Sequence, residues 1–232
     1  MKIKIFGDGA DKSTILELYK NPLIKGFTTN PTLMRKAGIK DYEAFAKDIL
    51  EAVPNRPFSL EVFDDSFDEM ERQARKIASW GENVYVKIPI MNTKEIGSYP
   101  LIRTLSQDGI KVNVTAMMTL HQVEKACCAL ADGAPAYISI FAGRIADTGR
   151  DPVPEMRFAV QYLAAYPNVE LIWASPRELL NIFQADDIGC HIITATNDIL
   201  KKLPLVGKSL YDYSLETVQM FYKDAQESGY KL

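Results

Sequence analysis

Eight short apolar runs alternate with segments of helical periodicity along this chain of 232 residues, and this alternation constrains its fold most strongly. The predicted strands lie at residues 3–6, 26–29, 58–62, 83–90, 111–115, 136–141, 169–173 and 190–195. Strands that alternate with helices are typical of parallel βα units, and eight such units predict a (β/α)8 TIM barrel, an α/β fold. A doubly wound open sheet is the alternative, but no Gly-x-Gly-x-x-Gly follows the first predicted strand.

The helical pattern continues beyond the eighth strand. Residues 197–228 are predicted to be helical with a break at 204–208, whereas residues 143–151 are predicted to form a polar loop. The helix after the fourth strand is predicted at residues 93–107. Pro176 is predicted to be the first residue of the helix after the seventh strand. We therefore expect a single barrel domain over residues 1–232, with a C-terminal helical tail at about 205–232.

Composition excludes several classes of protein. Hydrophobic residues make up 47% of the chain and charged residues 25%, which predicts a globular core rather than disorder. The net charge of -3, with no basic cluster, argues against nucleic acid as a partner. No apolar segment approaches the roughly 18 residues of a membrane helix. The cysteines (Cys127, Cys128 and Cys190) form no disulfide framework, so we expect a cytoplasmic protein in a reducing compartment.

A lysine lies near the end of the fourth predicted strand. Lys87 precedes Ile88 and Pro89, and proline cannot continue a strand ladder. Lysine is rarely buried without a partner or a function. Burial disfavours the charged form of an amine, and an uncharged amine can attack a carbonyl. The alternative is a lysine whose amine simply reaches solvent.

Polar side chains follow most of the other predicted strands as well. Because the active site of a barrel lies at the C-terminal strand ends, these residues should meet at one mouth. The candidate site residues are Asp8, Thr29, Asn30, Glu61, Lys87, Asn113, Thr115, Ser139, Phe141, Arg144, Ser175 and Arg177. Schiff-base chemistry at carbon–carbon bonds requires an amine, carboxylates that carry protons, donors for hydroxyls and a cationic pocket for phosphate.

Five blocks of sequence resemble the signature blocks of the transaldolase family. They are GFTTNPT (26–32), VKIP (86–89), NVT (113–115), SIFAGRIAD (139–147) and ASPR (174–177). The chain length resembles the small subfamily, which includes fructose-6-phosphate aldolases. The family carries its Schiff-base lysine on strand four, where Lys87 is predicted; class I aldolases with a strand-six lysine fit less well.

The resemblance implies a catalytic role for four residues. Lys87 resembles the amine that attacks the ketose C2 carbonyl, and Asp8 the acid/base for the C4 hydroxyl. Glu61 resembles the glutamate that acts through a water together with Thr115. The open alternatives are that Glu61 is only an ion-pair partner of Lys87 and that Thr115 only satisfies backbone groups.

The resemblance also implies substrate-binding residues. Asn30, Asn113 and Ser139 would hold the hydroxyls of the dihydroxyacetone unit, and Arg144, Ser175 and Arg177 would bind the phosphate. Arg144 could instead pair with Asp147 or Asp151. Pro176 departs from the family block, which commonly has an aromatic residue there; proline fixes the local backbone and removes one N–H, so the resemblance implies a different grip on the phosphate beside Ser175. Thr28 is predicted only to pack, and His121 and His191 to be structural.

Two positions favour one activity within the family. In the pattern of the aldolase members, glutamine and tyrosine stand where this chain has Glu61 and Phe141, so at both positions this chain resembles the transaldolases. The resemblance therefore implies a transaldolase of the pentose phosphate pathway, with fructose-6-phosphate aldolase as the alternative. A barrel that binds sugar phosphates without turnover is the third hypothesis. We expect phosphorylated sugars as partners, no cofactor, no metal, no membrane, and a homo-oligomer, pentameric or decameric, with C-terminal helices at the contacts.

Overall fold

The computed structural model describes residues 1–231, and its central feature is a closed barrel of eight parallel strands. The strands are β1 (Lys4–Asp8), β2 (Ile24–Thr28), β3 (Phe58–Glu61), β4 (Val84–Pro89), β5 (Val112–Met117), β6 (Ala136–Ile140), β7 (Val169–Trp173) and β8 (Ile192–Thr196). Each strand pairs with the next, and β8 pairs with β1. The predicted (β/α)8 barrel is confirmed, and the open-sheet alternative is wrong because the first and last strands are joined.

Helices connect the strands, and polar side chains cap several of them. The helices are α1 (Lys12–Lys20), α2 (Pro31–Lys36), α3 (Tyr42–Ala52), α4 (Phe67–Ala78), α5 (Tyr99–Gln107), α6 (Leu120–Leu130), α7 (Ala142–Asp147), α8 (Val153–Leu163), α9 (Leu180–Asp187), α10 (Asn197–Leu200) and α11 (Leu210–Ser228). Asp11, Asn30 and Asp41 each accept a hydrogen bond from a backbone N–H three residues ahead. Such caps satisfy donors that the first helical turn leaves unpaired.

Three predicted boundaries are wrong. The segment 143–151 is not all loop, because Ala142 and Ile145 are buried and α7 forms around them. The helix predicted from 93 begins at Tyr99, after a turn closed by an isolated bridge between Met91 and Gly97. Pro176 does not start a helix, because α9 begins only at Leu180.

Large side chains fill the N-terminal half of the barrel interior. A buried cluster comprises Phe6, Tyr137, Ile172, Ala174 and Ile192. The ring of Tyr85 stacks on Tyr137 with their centroids 3.9 Å apart. Most of these side chains come from the first or middle residues of their strands. The polar inward side chains that remain lie toward the C-terminal strand ends, where a site can form.

The chain divides into two compact units, Met1–Leu200 and Lys201–Leu232. The first unit contains the barrel. In the second, a 3-10 turn (Leu203–Leu205) precedes α11, and no residue of α11 is buried. No helix within residues 1–231 has the length and hydropathy needed to cross a membrane.

The pH dependence of stability tests the packing of His191. Its Nδ1 accepts a hydrogen bond from the backbone N–H of Leu171 at 3.1 Å, and burial lowers the pKa of the imidazole. The unfolded chain therefore takes up the proton more readily than the folded one. We expect the free energy of unfolding to fall as the pH drops below about 6.5. The loss should stay under about 1 kcal/mol per pH unit because solvent screens the partly exposed ring.

His191→Asn supplies the control. The asparagine oxygen can accept the same hydrogen bond but does not titrate, so the variant should lose less stability than the wild type between about pH 7.5 and about pH 5.5. Urea unfolding of both proteins at the two pH values measures the difference. Carboxyl groups titrate in both proteins, so their contribution to the loss of stability cancels in the comparison. Equal losses would contradict the assignment.

Candidate active site

The C-terminal strand ends surround a cavity of about 600 Å³. The sequence-predicted residues that line it are Asp8, Asn30, Glu61, Lys87, Thr115, Ser139, Phe141, Arg144, Ser175 and Arg177. The side chains of Thr29 and Asn113, the two remaining predictions, do not line it. Residues from β1 to β8 and the loops after them are thus brought together although they are far apart in sequence.

Lys87 lies at the floor of this cavity. It is 5% exposed. Its Nζ lies 3.0 Å from Glu61 Oε2 and donates a hydrogen bond to the carbonyl oxygen of Thr29 at 2.8 Å. The parallel register of β3 and β4 pairs the Cα atoms of Glu61 and Lys87, which places both side chains on the inward face. Thr29 therefore contributes its backbone oxygen to the site.

Glu61 is fixed from behind by a helix. The hydroxyl of Tyr42, near the start of α3, donates a hydrogen bond to the carbonyl oxygen of Glu61 at 2.8 Å. This bond anchors the end of β3 while the carboxylate points toward Lys87. The two predicted roles of Glu61, ion-pair partner and proton carrier, are not exclusive, because a carboxylate beside an amine can do both.

Asp8 ends β1 on the same inward face. Its Oδ1 accepts a hydrogen bond from Thr28 Oγ1 at 2.7 Å. Burial raises the pKa of the Asp8 carboxyl, the charge of Lys87 and the Thr28 hydrogen bond lower it, and the charge of Glu61 raises it further. The net effect is a raised pKa, which suits a carboxyl that must both accept and donate a proton.

Asn113 lies below the cavity in a buried row of polar side chains. Its Nδ2 donates to Ser59 Oγ at 3.0 Å, and its Oδ1 accepts from Ser139 Oγ at 2.7 Å. Both ends of the amide are therefore engaged by protein groups. Ser139 lines the cavity and Asn113 orients it. Asn30 lines the cavity directly, while its Oδ1 caps α2 through the Leu33 N–H.

The hydroxyl of Thr115 is available for a ligand. Its Oγ1 is buried, has no hydrogen-bond partner among residues 1–231, and belongs to a residue that lines the cavity. The following residue, Ala116, has a φ of 63°, and the register with β6 shifts between Val114 and Met117. A non-glycine residue in the left-handed region is strained, and such strain is found at functional sites.

Two arginines lie at the rim of the cavity. Arg177 donates from Nε to Asp147 Oδ1 at 2.9 Å, and its Nη2 bonds the second oxygen of that carboxylate. The guanidinium of Arg144 lies 5.8 Å from the ring centroid of Phe141. The arginine that pairs with Asp147 is therefore Arg177. Asp147 uses one edge of the guanidinium, and the Nη1 edge keeps donors for an anion.

A tight backbone contact fixes the segment before Arg177. Ser175 has a φ of 60°, and its carbonyl oxygen would lie 1.5 Å from a Cβ on Gly143. Only glycine fits at that position. Beyond the turn, the backbone N–H of Arg177 donates to Asn181 Oδ1 at 2.8 Å. Pro176 lines the cavity within this fixed segment.

Sequence reasoning missed several cavity residues. They are Thr28, Thr194, Thr196 and Asp198 among others. Thr28 precedes two predicted site residues, and its inward position follows from strand alternation. Thr196 was missed because the eighth strand was predicted to end at 195. Within residues 1–231, His, Cys, Asp and Glu side chains form no group of three that could hold a metal ion.

Known proteins resemble this chain along almost its whole length. The family model described as Transaldolase/Fructose-6-phosphate aldolase matches residues 5–232. A protein of Methanococcus maripaludis named "Probable transaldolase" is 35% identical over 223 residues, which cover 93% of this chain and 99% of that protein. A "Probable transaldolase" of a Thermoanaerobacter species is 34% identical over 231 residues, covering 99% of this chain and 100% of that protein.

Solved structures share the fold at low sequence identity. KGPDC from Streptococcus mutans has a TM-score of 0.59 at 8% identity, covering 87% of this chain and 90% of that chain. A 3-hexulose-6-phosphate synthase has a TM-score of 0.56 at 14% identity, covering 84% of this chain and 90% of that chain. At these identities the similarity shows the barrel fold alone.

Proposed function

Since this chain belongs to the transaldolase/fructose-6-phosphate aldolase family, we propose that it is a transaldolase. It transfers a dihydroxyacetone unit from a ketose phosphate, fructose 6-phosphate or sedoheptulose 7-phosphate, to an aldose phosphate through a Schiff base. The observation that carries the proposal is the buried Lys87 amine, 3.0 Å from Glu61 Oε2 and in the same cavity as Asp8.

The geometry supports a sequence of proton transfers around Lys87. The amine attacks the ketose C2 carbonyl, and Glu61 takes up the ammonium proton and returns it, through water, to the departing hydroxyl. Thr115, whose hydroxyl has no partner among residues 1–231, hydrogen-bonds that water. Asp8 then takes the C4 hydroxyl proton as the C3–C4 bond breaks, and the aldehyde leaves. The same steps in reverse join the dihydroxyacetone unit to the acceptor.

The rim supports recognition of a phosphate. Arg144 and Arg177 line the same cavity as the Lys87 amine and supply two cations there. A guanidinium offers planar paired donors that match phosphate oxygens. Asp147 holds Arg177 by two contacts and lowers its rotational freedom, so the free edge is directed before substrate binds. Ser175, Asn30 and Ser139 add polar groups to the lining, the last two for the hydroxyls of the substrate.

Phe141 supports transfer over simple cleavage. It lines the cavity and packs against the buried cluster of Phe6, Tyr137, Ile172, Ala174 and Ile192. Its ring has no proton to give to the enamine that remains on Lys87 after cleavage. The intermediate therefore awaits an aldehyde acceptor. A tyrosine hydroxyl at that position would favour release of free dihydroxyacetone, which is the aldolase outcome.

We place the enzyme in the cytoplasm. The exposed face of α11 in the second unit supports a homo-oligomer. Tyr211, Leu215, Val218 and Tyr222 recur along α11 at spacings of four, three and four residues, and all are more than 45% exposed. An exposed apolar stripe of this kind is typical of a helix that packs against another chain. Sedimentation equilibrium tests this; a monomer at micromolar concentration would contradict it.

Covalent trapping tests the Schiff base. Borohydride reduction with fructose 6-phosphate should add a three-carbon dihydroxyacetone unit to the peptide that contains Lys87, because the reduced imine cannot hydrolyse. Mass analysis of peptides locates the label. Lys87→Met should fold and lose essentially all turnover. Lys111→Met, which removes a partly exposed lysine whose Nζ bonds the Glu82 carbonyl oxygen, should keep the label. A label on another lysine would refute the mechanism.

Truncation of Arg177 tests phosphate recognition. Charge-assisted hydrogen bonds are worth about 1.5–3 kcal/mol, so Arg177→Ala should lower kcat/KM for phosphorylated substrates by ~10- to 150-fold. Unphosphorylated glyceraldehyde should be affected much less as an acceptor. Arg144→Ala should follow the same pattern. Arg157→Ala removes a surface arginine near Asp187 and serves as the matched control. Equal losses with both kinds of acceptor would show a purely structural role.

Partition of the enamine tests transaldolase against aldolase. With fructose 6-phosphate alone, the wild type should release glyceraldehyde 3-phosphate only to about one equivalent per site. Added erythrose 4-phosphate should then start steady formation of sedoheptulose 7-phosphate. Phe141→Tyr should raise acceptor-free cleavage, because a positioned proton donor contributes ~10²–10⁴-fold. Rapid multiple-turnover cleavage by the wild type without acceptor would identify an aldolase instead.

A further inference from the structure

A pair of buried hydroxyls lies behind the carboxyl of Asp8. Thr28 on β2 and Thr194 on β8 flank Asp8 on β1, and they are 2% and 5% exposed. Thr28 Oγ1 lies 2.7 Å from Asp8 Oδ1 and 2.6 Å from Thr194 Oγ1. Three neighbouring strands therefore hold a carboxyl oxygen and two hydroxyl oxygens in one continuous row.

The chemistry of the row fixes the direction of its hydrogen bonds. An ionised carboxylate only accepts, so Thr28 must donate its single hydroxyl proton to Asp8. Thr28 then has no proton left for Thr194, and Thr194 must donate to Thr28. Because the Thr28 hydroxyl receives this hydrogen bond, it is a stronger donor to the carboxylate than an isolated hydroxyl would be. The two threonines thus act on Asp8 as a unit.

The row also distinguishes the two carboxyl oxygens of Asp8. Among residues 1–231, hydrogen bonds from protein donors reach Oδ1 and none reaches Oδ2. Two neighbouring strands fix Thr28 and Thr194, so the bond to Oδ1 restricts rotation of the carboxyl group. Asp8 lines the cavity, and Oδ2 is the oxygen without a protein partner there.

We propose that Thr28 and Thr194 are positioning residues that hold Asp8 through Oδ1 and assign Oδ2 to proton transfer with the substrate. This inference rests on the proposed Schiff-base function, because the proton concerned is that of the C4 hydroxyl. Neither threonine needs to touch the reacting atoms. Their effect is to set the orientation of the carboxyl group and the stability of its ionised form.

Other charges act on the same carboxyl and must be kept constant in any test. Lys87 on β4 and Glu61 on β3 face Asp8 across the barrel, and Lys87 lowers its pKa while Glu61 raises it. Arg144, Arg177 and Asp198 lie around the cavity as well. Because substitution of a threonine hydroxyl changes none of these charges, a shift in the titration of Asp8 would report the loss of hydrogen bonding.

The alternative is that the two hydroxyls only satisfy each other's hydrogen-bonding capacity inside the barrel. Loss of one would then affect stability but not the chemistry of Asp8. The two possibilities differ in the pH profile. Cleavage requires the ionised form of Asp8, so loss of a donor to that form raises its pKa and moves the acid limb of kcat to higher pH.

The test uses Thr28→Val and Thr194→Val, which keep the side-chain shape, with Thr28→Ser and Thr194→Ser as hydroxyl-retaining controls. We expect Thr28→Val to lower kcat at least ~10-fold, leave KM within about twofold, and shift the acid limb upward by about one to two pH units. Thr194→Val should shift it in the same direction by less. The serine variants should restore the wild-type profile.

A second measurement does not depend on catalysis. Carbon-13 NMR of aspartate carboxyls in the free enzyme, with the Asp8 signal assigned by its loss in Asp8→Asn, follows the titration directly. Thr28→Val should raise the apparent pKa of that signal. Unchanged titration and pH profile in both folded valine variants would overturn the proposal. If Thr28→Val does not fold, Thr194→Val, which removes no group bonded to Asp8, decides the question alone.

The two hypotheses fail in different ways. If the wild type forms no borohydride-trapped adduct on Lys87, the proposed function is wrong, while the carboxyl titration still tests the hydrogen-bonded row. If the adduct forms and the valine variants titrate and turn over like the wild type, the function stands and the positioning role is wrong.

Discussion

The burial of one amine is the constraint on which the site depends. An ammonium or amine out of contact with water needs partners, and Lys87 has the Glu61 carboxylate at 3.0 Å and the Thr29 carbonyl oxygen at 2.8 Å. Those partners come from the end of β3 and from the residue directly after β2, so the amine holds its position only if the barrel has closed in the correct register. Slippage of β3 by one residue would turn Glu61 outward and leave Lys87 without its counter-charge. Fold and chemistry are therefore specified by the same contacts.

Around this amine the structure distributes its polar groups by depth. Asn113 bonds Ser59 and Ser139 in a buried row. Ser139, Asp8, Glu61 and Lys87 line the cavity, and the exposed Arg144 and Arg177 lie at its rim. Each layer differs in how far its hydrogen bonds are already satisfied by protein. Those of Asn113 are engaged on both sides of its amide, whereas Thr115 Oγ1 has no partner among residues 1–231. Groups with unmet hydrogen-bonding capacity are the ones that a polar substrate can bind most favourably.

The barrel and most of the cavity lining were predictable from the sequence, because apolar runs mark strands and the residues after them must meet at one end. Lys87, Asp8 and Glu61 were found in this way. What escaped prediction depends on contacts between distant segments. Nothing in the sequence shows that Asp147 bonds Arg177 rather than Arg144, or that Thr28 bonds Thr194, since 166 residues separate the latter pair. Likewise α7 forms where a loop was predicted, because burial of Ala142 and Ile145 outweighs the polar character of that segment.

The aromatic packing in the lower half of the barrel has a consequence for the order of binding under the proposed transaldolase function. Tyr85, Tyr137 and Phe6 pack together in the barrel interior, whereas the cavity is lined by residues at the C-terminal strand ends. Donor and acceptor sugars of the proposed reaction would both enter from the C-terminal strand ends, one after the other. The first aldehyde would then have to leave before the second could bind, and the covalent intermediate proposed on Lys87 would exist without either aldehyde in the interval. A single entrance shared in this way would impose a double-displacement order on the kinetics, with no ternary complex of both sugars.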